Sequence, residues 1–294
     1  MEIADGTFDG NIYGAASVKT GVLNTSAGSW IHSAGNIELD ITSGTATKGG
    51  EACIFAGGYA AGHDTADAAD RTAVYEAGNV TLTISGGNWG EVKGGRGVFG
   101  GAFASDNTKA ADWDDPDEGG KGVYAKVGDV NITVIGGTMG NVYGGGWAQK
   151  GGKSEVGDVN INIEGGTITN IFGGGCCSIS GGSTKAGDVT ITVSGGNIDG
   201  AIFAKGQGSN DEVGNAEVIF TGNTSFSCDV FGYGYVGGGN SDATLSFTGY
   251  TGTFSGKLGG FNGIKFDGAT AMMLSTAASD VSNSAWAEQL EMTS

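Results

Sequence analysis

The sequence predicts an all-β chain wound as a single-stranded parallel β-helix, right-handed and about seven coils long. Three observations lead to this fold class. A short aliphatic–aromatic–glycine phrase recurs seven times, apolar residues alternate in the segments between its copies, and the 294 residues contain 61 glycines but one proline. Self-similarity at a period of roughly 27–50 residues is typical of solenoids, in which no single repeat can bury its apolar face alone.

The recurring phrase predicts one short strand and one corner in every coil. In most copies a β-branched aliphatic residue is followed by an aromatic residue and then by small residues, mostly glycine. Glycine favours sharp corners because it adopts positive φ without steric cost. The seven copies lie at 12–16, 54–58, 98–102, 142–146, 171–175, 202–206 and 230–234.

A second set of segments predicts the longer strand of each coil. Apolar residues alternate strictly in Val80–Ile84, Val130–Val134, Val159–Ile163 and Val189–Val193, as in a strand with one buried face. We expect equivalent residues to stack in inward columns about 4.8 Å apart. The same columns are predicted to continue through Ile37, Leu39, Ile41, Ala216, Val218, Phe220, Leu245 and Phe247.

The spacing of the repeats predicts the domain organisation. Val130, Val159 and Val189 are 29 and 30 residues apart, whereas Val80 and Val130 are 50 apart. Long coils therefore carry insertions, which we place at about 62–76 and 105–126, and long loops on a solenoid are where function is usually found. Residues 1–268 form the predicted β-helix, and 269–294 form a cap or the beginning of the next segment.

Charge and composition limit the partners and the chemistry. With 14 basic and 32 acidic residues the net charge is −18, which argues against nucleic acid or an anionic membrane surface as a partner. No segment approaches the roughly 20 apolar residues that span a bilayer, and Met1–Asp5 does not resemble a signal peptide. Repeats begin almost at once, so we expect a piece of a longer secreted chain.

The cysteines do not decide the redox compartment. Cys53, Cys176, Cys177 and Cys228 have no metal-type spacing. Small apolar wall positions and a disulfide between coils both remain open for them.

One candidate metal site lies in the longer insertion. Clustered carboxylates could coordinate calcium there, although the EF-hand spacing is absent. The alternative is an exposed acidic loop that the charge keeps soluble. No cofactor other than calcium is expected. The carboxylates concerned are those of Asp112, Asp114, Asp115 and Asp117.

Aromatic residues provide the candidate ligand contacts. Trp113 and Tyr124 lie in the longer insertion, and Trp147 belongs to a column with Tyr59 and Phe103. If the column faces solvent it could stack on sugar rings, whereas equal parity with the Phe/Tyr of the recurring phrase favours an aromatic core ladder.

Two further functions have weaker support in the sequence. Thr and Asn at outward positions of the longer strand would suit an ice-binding face, although Glu38, Asp40, Glu217 and Ile219 interrupt the pattern. A carbohydrate-active β-helix, such as a tailspike or a lyase, would need paired carboxylates or basic residues. Asp114 and Asp115 are sequence neighbours that need not converge on one bond, and we assign no catalytic residue.

The phrase Gly-Asp-Val-x-Ile-x-Val-x-Gly-Gly, followed by Val/Ile-Tyr/Phe-Gly-Gly-Gly, resembles the passenger β-helix of bacterial autotransporter adhesins. Residues 261–268 and Ala285-Trp286 resemble passages near the end of such passengers, and the resemblance covers about residues 3–268. It implies a non-enzymatic adhesin or scaffold at the bacterial surface or outside the cell. Its expected partner is a host surface protein or glycan, without insertion into the membrane.

Overall fold

The computed structural model describes residues 1–15, 17–19, 28–46, 53–61, 71–89, 97–105, 122–177, 181–235, 242–269 and 289–293. Every regular element in these ranges is a β-strand, and all strand pairs are parallel. In the same ranges there is no helix with the length and hydropathy to cross a membrane.

The largest regular surface is sheet A, a ten-stranded sheet with one strand from each successive repeat. Its central strands are the alternating segments that the sequence predicts. In spatial order the strands are β1 (Glu2–Ile3), β6 (Ile37–Ile41), β11 (Val80–Ile84), β16 (Val130–Val134), β20 (Val159–Ile163), β24 (Val189–Val193), β28 (Ala216–Phe220), β30 (Ala243–Thr248), β32 (Gly263–Asp267) and β33 (Gln289–Thr293).

Sheet B has twelve strands and contains the aliphatic–aromatic phrase. Several repeats contribute two short strands to it, and two repeats contribute one continuous strand. The strands are β2 (Thr7–Phe8), β3 (Ile12–Tyr13), β7 (Thr45–Ala46), β8 (Ile54–Phe55), β12 (Asn88–Trp89), β13 (Gly97–Phe99), β17 (Thr138–Tyr143), β21 (Thr167–Phe172), β25 (Asn197–Ile198), β26 (Ala201–Phe203), β29 (Asp229–Phe231) and β31 (Leu258–Gly259).

Two smaller sheets complete each circuit. Sheet C follows the glycine corner and consists of β4 (Ser17–Lys19), β9 (Tyr59–Ala61), β14 (Phe103–Ser105), β18 (Trp147–Gln149) and β22 (Cys176–Cys177). Sheet D leads back to sheet A and consists of β5 (Gly28–Ala34), β10 (Arg71–Ala77), β15 (Gly122–Lys126), β19 (Lys153–Glu155), β23 (Ser183–Ala186) and β27 (Asp211–Val213).

The chain therefore visits the sheets in the order A, B, C, D and returns to A beside its previous strand. This arrangement is all-β and parallel, and it is compatible with a parallel β-helix solenoid. We call one such circuit a coil.

The predicted strand register is confirmed. Val130 pairs with Val80 on one side and with Val159 on the other, and Val189 follows Val159. The inward columns of sheet A are fully or almost fully buried, whereas the alternate residues are half-buried or exposed. Burying an aliphatic side chain stabilises the fold by about 1.5–3 kcal/mol, so these columns form the main core.

A ladder of Asn and Asp side chains explains the Gly-Asp or Gly-Asn dipeptide that precedes six of the sheet-A strands, from β6 to β28. Asp129 Oδ1 accepts a hydrogen bond from the backbone N of Asp158 at 3.0 Å, and Asp158 Oδ1 accepts one from Asp188 N at 2.9 Å. The glycine before the donor of each bond lies very close to the side chain that accepts the bond in the previous coil. A Cβ on Gly157 would lie 2.4 Å from Asp129 Oδ1, so a side chain there would displace the ladder.

The predicted insertions are partly strand. Residues 71–76 belong to β10 and residues 122–126 to β15, so the end of each predicted insertion is part of sheet D. The shorter coils, which have no predicted insertion, also contain a sheet-D strand, namely β19 and β23. Sequence reasoning missed sheet D because its strands alternate small residues such as Ala and Ser, which give a weak apolar pattern. Residues 62–70 and 106–121 lie outside the described residues, as does most of 269–294.

Candidate functional site: an aromatic strip outside the main core

The aliphatic and aromatic residues of the recurring phrase enter two different clusters. Val98 packs in the main core, and its neighbour Phe99 packs in a second cluster. Val142 and Tyr143 divide in the same way. Successive residues of a strand point to opposite faces, so the second cluster lies on the outer face of sheet B.

The base of the second cluster is a stack of five buried rings from five successive coils. The ring centroids of Phe99 and Tyr143 are 4.4 Å apart with an interplanar angle of 2°. Phe55 continues the stack at 4.8 Å from Phe99, and Phe172 continues it at 4.7 Å from Tyr143. Phe203 then lies 5.0 Å from Phe172. Offset-stacked pairs contribute about 0.5–1.5 kcal/mol beyond the area that they bury.

The column of Tyr59, Phe103 and Trp147 covers this base from across the glycine corner. The three residues pair in register in sheet C, as the sequence predicts, and all are half-buried. Each ring leans towards the preceding coil. Phe103 lies 5.3 Å from Phe55, and Trp147 lies 5.6 Å from Phe99.

Tyr235 extends the column after two coils in which Cys176 and Gln207 take the aromatic position. Tyr235 is 60% exposed. Its ring stands nearly perpendicular to the rings of Phe172 and Phe203, with centroid distances of 6.4 and 5.5 Å. We use the name aromatic strip for five partly exposed rings that belong to this cluster or contact its rings, which are Tyr13, Tyr59, Phe103, Trp147 and Tyr235.

The geometry of the strip falls between the two alternatives left by the sequence. Tyr59 and Phe103 stack on each other at 5.2 Å with an angle of 15°, so their faces are largely occupied by neighbouring rings. A sugar ring therefore has little room to stack on these aromatic faces. The strip presents the edges of its rings to a ligand instead. Tyr235 differs, because its large exposure leaves much of its ring accessible.

The groups beside the strip favour a neutral, unreactive surface. Burial raises the pKa of the Cys176 thiol to about 12, so the thiol stays protonated and is a poor nucleophile. Burial also raises the pKa of Tyr143, whose hydroxyl donates a short hydrogen bond to Gln207 Oε1 and accepts one from Asn141 Nδ2 at 3.0 Å. All four cysteines of the chain are buried free thiols.

Asp211 is a carboxylate that the sequence analysis did not single out. Its Oδ1 accepts hydrogen bonds from Gly175 N at 3.0 Å and Thr184 Oγ1 at 2.6 Å, and its Oδ2 accepts one from Gly206 N at 2.7 Å. Burial nevertheless raises its pKa from 3.8 to about 6, against the opposing effect of these three donors. Asp211 thus joins the glycine corners of two coils to sheet D.

The structure brings together some predicted site residues but not others. Trp147 lies in the aromatic strip. Tyr124 is 7% exposed in sheet D, with Lys153 Nζ 5.3 Å from its ring centroid, so little of it can reach a ligand. Ligand binding at either residue stays a prediction. Trp113 and the calcium candidates Asp112, Asp114, Asp115 and Asp117 lie outside the described residues. Within the ranges described above, no cluster of three or more His, Cys, Asp or Glu could hold a metal ion.

The outward Thr and Asn residues form the predicted array on sheet A. Thr81 and Thr83 pair with Asn131 and Thr133, and Asn160 Nδ2 donates to Asn131 Oδ1 at 3.2 Å. The charged residues that are predicted to interrupt the array lie in the neighbouring strands of sheet A. Glu38, for example, pairs with Thr81. Ice binding by this face stays a prediction.

Comparison with known proteins found no match to any protein-family model, curated protein or solved structure. The resemblance to autotransporter passengers therefore rests on the repeated phrase and on the passages at 261–268 and Ala285-Trp286.

Proposed function

We propose that the chain is a non-enzymatic segment of a bacterial surface or secreted adhesin. In this proposal a right-handed parallel β-helix of about seven coils presents the aromatic strip, and the segments between sheets C and D, to a host surface protein or glycan. The observation that carries the proposal is the strip itself. An apolar cluster outside the main core, with one strongly exposed ring, is typical of an interaction surface.

The placement of the strip on strands supports binding. Tyr59, Phe103 and Trp147 are fixed by parallel pairing and by the rings beneath them, so little side-chain freedom remains to be lost when a partner binds. Aromatic side chains also dominate interface energetics. Further coils in a longer parent chain would add equivalent contacts along one axis, which increases avidity without new chemistry.

The chemistry beside the strip supports a role without catalysis. Cys176 is held protonated by burial, and Asp211 is engaged by three donors in a corner of the fold. The extracellular and bacterial location follows from the resemblance to autotransporter passengers and remains part of the proposal.

Binding of the purified, labelled chain to intact epithelial cells tests the proposal. Tyr235→Ala removes the most exposed ring of the strip and should weaken binding several-fold. Ile31→Ala is the matched control, because Ile31 is 66% exposed but lies in sheet D. The control should bind like the unchanged protein.

Periodate treatment of the cells separates the two partner classes, since it destroys vicinal diols of glycans and leaves most protein epitopes. Saturable binding that Tyr235→Ala weakens and Ile31→Ala does not would support the proposal. Absence of saturable binding, or equal effects of the two variants, would contradict the adhesive role. Reducing sugar released from cell-surface polysaccharide would instead show a carbohydrate-active β-helix.

A further inference from the structure

A polar groove of about 460 Å³ lies at one end of the Asn/Asp ladder, away from the aromatic strip. It is bordered by Asp188, Asn215, Glu217, Asp242, Asn262 and Lys265. The groove is open, since Asp188, Asn215, Asp242 and Lys265 are exposed, and its volume is comparable with that of small-molecule sites in proteins, about 300–1,000 Å³.

The groove lies where the coils become shorter. Ala216 pairs with Ala243 after 27 residues, but Thr244 pairs with Gly263 after 19. Among the described residues, sheet D ends at β27, before this short coil. Gly263 also brings no side chain to the column of Thr190, Glu217 and Thr244. The shorter path and the missing side chain leave a recess beside sheet A.

The polar groups of the groove are held in place by the fold. Asp188 Oδ1 accepts hydrogen bonds from Asn215 N at 2.9 Å and Asn215 Nδ2 at 3.1 Å. Asn262 Nδ2 donates to Asp242 Oδ1 at 3.3 Å. Glu217 Oε1 accepts a hydrogen bond from Ser246 Oγ at 2.5 Å. Each carboxylate uses one oxygen in these bonds, and its second oxygen can accept a bond from a ligand.

These groups match the hydroxyls of a sugar. A carboxylate accepts from one hydroxyl, and the neighbouring amide can donate to or accept from the next, so carboxylate–amide pairs suit vicinal diols. Hydrogen bonds to a charged group are stronger than those between neutral groups, and groups that are already ordered lose little entropy on binding. Three carboxylates disfavour a polyanion, and the Lys265 ammonium offsets part of their negative charge.

We propose that this groove binds a neutral saccharide through the Asp188–Asn215 and Asp242–Asn262 pairs and through Glu217. The site is separate from the aromatic strip and does not depend on adhesion by it. A saccharide bound here would lie against the outer face of sheet A, across the last described coils.

Isothermal titration of the full chain with cellohexaose, maltohexaose, mannohexaose and xylohexaose tests this site. At least one of the four should bind saturably. Glu217→Ala should weaken that binding about tenfold or more, as expected for the loss of one hydrogen bond to a charged group. Asn262→Ala should weaken it as well.

Glu38→Ala is the matched control, because Glu38 occupies the column of Glu217 five coils away and outside the groove. It should bind like the unchanged protein. Circular dichroism and thermal melting of each variant identify any loss of fold, and Glu217→Gln repeats the test with a smaller change. The proposal fails if none of the four sugars binds. It also fails if the groove variants bind normally, if Glu38→Ala weakens binding equally, or if EDTA abolishes binding.

Discussion

Asp129 and Asp158 occupy the same position in successive coils, and Oδ1 of the first accepts a hydrogen bond from the backbone N of the second at 3.0 Å. The same bond joins Asn36 to Asn79 and Asn79 to Asp129, each at 3.0 Å. The ladder thus satisfies a backbone donor at the entrance to five successive sheet-A strands, from β11 to β28. It also aligns acidic side chains along the solenoid, where like charges repel.

Asp158→Asn and Asp158→Ala should differ in their effects on stability. The amide keeps the acceptor for Asp188 N and removes a charge between Asp129 and Asp188, so the free energy of unfolding should stay equal or rise. The alanine variant loses the acceptor and should cost about 1 kcal/mol. Urea denaturation measures both. Glu164→Ala, at an exposed position of the same coil, is the control. Equal destabilisation by Asn and Ala would contradict this account of the ladder.

Gly157 and Asp129 should be energetically coupled. Gly157→Ala alone should lower the free energy of unfolding by about 1–3 kcal/mol, because the new Cβ meets Asp129 Oδ1. In the Asp129→Ala background the same change should cost less by about 1 kcal/mol, since the obstructing carboxylate is gone. Some cost remains, because Asp129 N would be 3.1 Å from the Cβ. A double-mutant cycle in urea measures the coupling, and strict additivity would refute it.

The second apolar cluster should contribute to global stability although it lies outside the main core. Phe99 is fully buried between Phe55 and Tyr143, so Phe99→Ala should cost about 3–5 kcal/mol. Phe103→Ala should cost less, because that ring is half-buried. Thermal and chemical unfolding of both variants test the order. A cost for Phe99→Ala below that of Phe103→Ala would show that the stacked base is dispensable.

Asp211 should make stability depend on pH between about 4 and 6. Its pKa is about 6 in the folded chain and near 3.8 when unfolded, so in this window the folded state binds more protons. Stability contributed by this group is therefore greatest at low pH and falls as the pH rises through 6. The change is on the order of 2–3 kcal/mol, since one pKa unit corresponds to about 1.4 kcal/mol.

Asp211→Asn removes this titration. The difference in unfolding free energy between the unchanged chain and the variant should therefore decline from pH 4 to pH 6 and be constant above. Urea denaturation of both proteins at several pH values measures that difference. The pH-dependent contributions of the other carboxylates are the same in both proteins and cancel in it. A difference that does not vary with pH would show that the carboxylate titrates normally.

Much of the fold could be predicted from the sequence because each coil repeats the local pattern. The period-2 alternation of Val130–Val134 fixed the buried face, and the repeat spacing fixed the register with Val80 and Val159. The aromatic column of Tyr59, Phe103 and Trp147 followed from the same spacing. Sheet D was missed, because strands such as Lys153–Glu155 bury small polar side chains and carry no apolar signal.

The sequence by itself determined which residues stack on which, because parallel in-register pairing places equivalent positions of successive coils side by side. The tertiary structure decided what each stack faces. Phe99 and Val98 are both fully buried, yet they enter different clusters, because they point to opposite faces of sheet B and rings from sheet C cover the outer face. Asp211 and the groove near Glu217 likewise depend on corners and on the short last coil. Repetition specifies neighbours along the axis, whereas the angle at each corner, set by long-range packing, specifies neighbours around it.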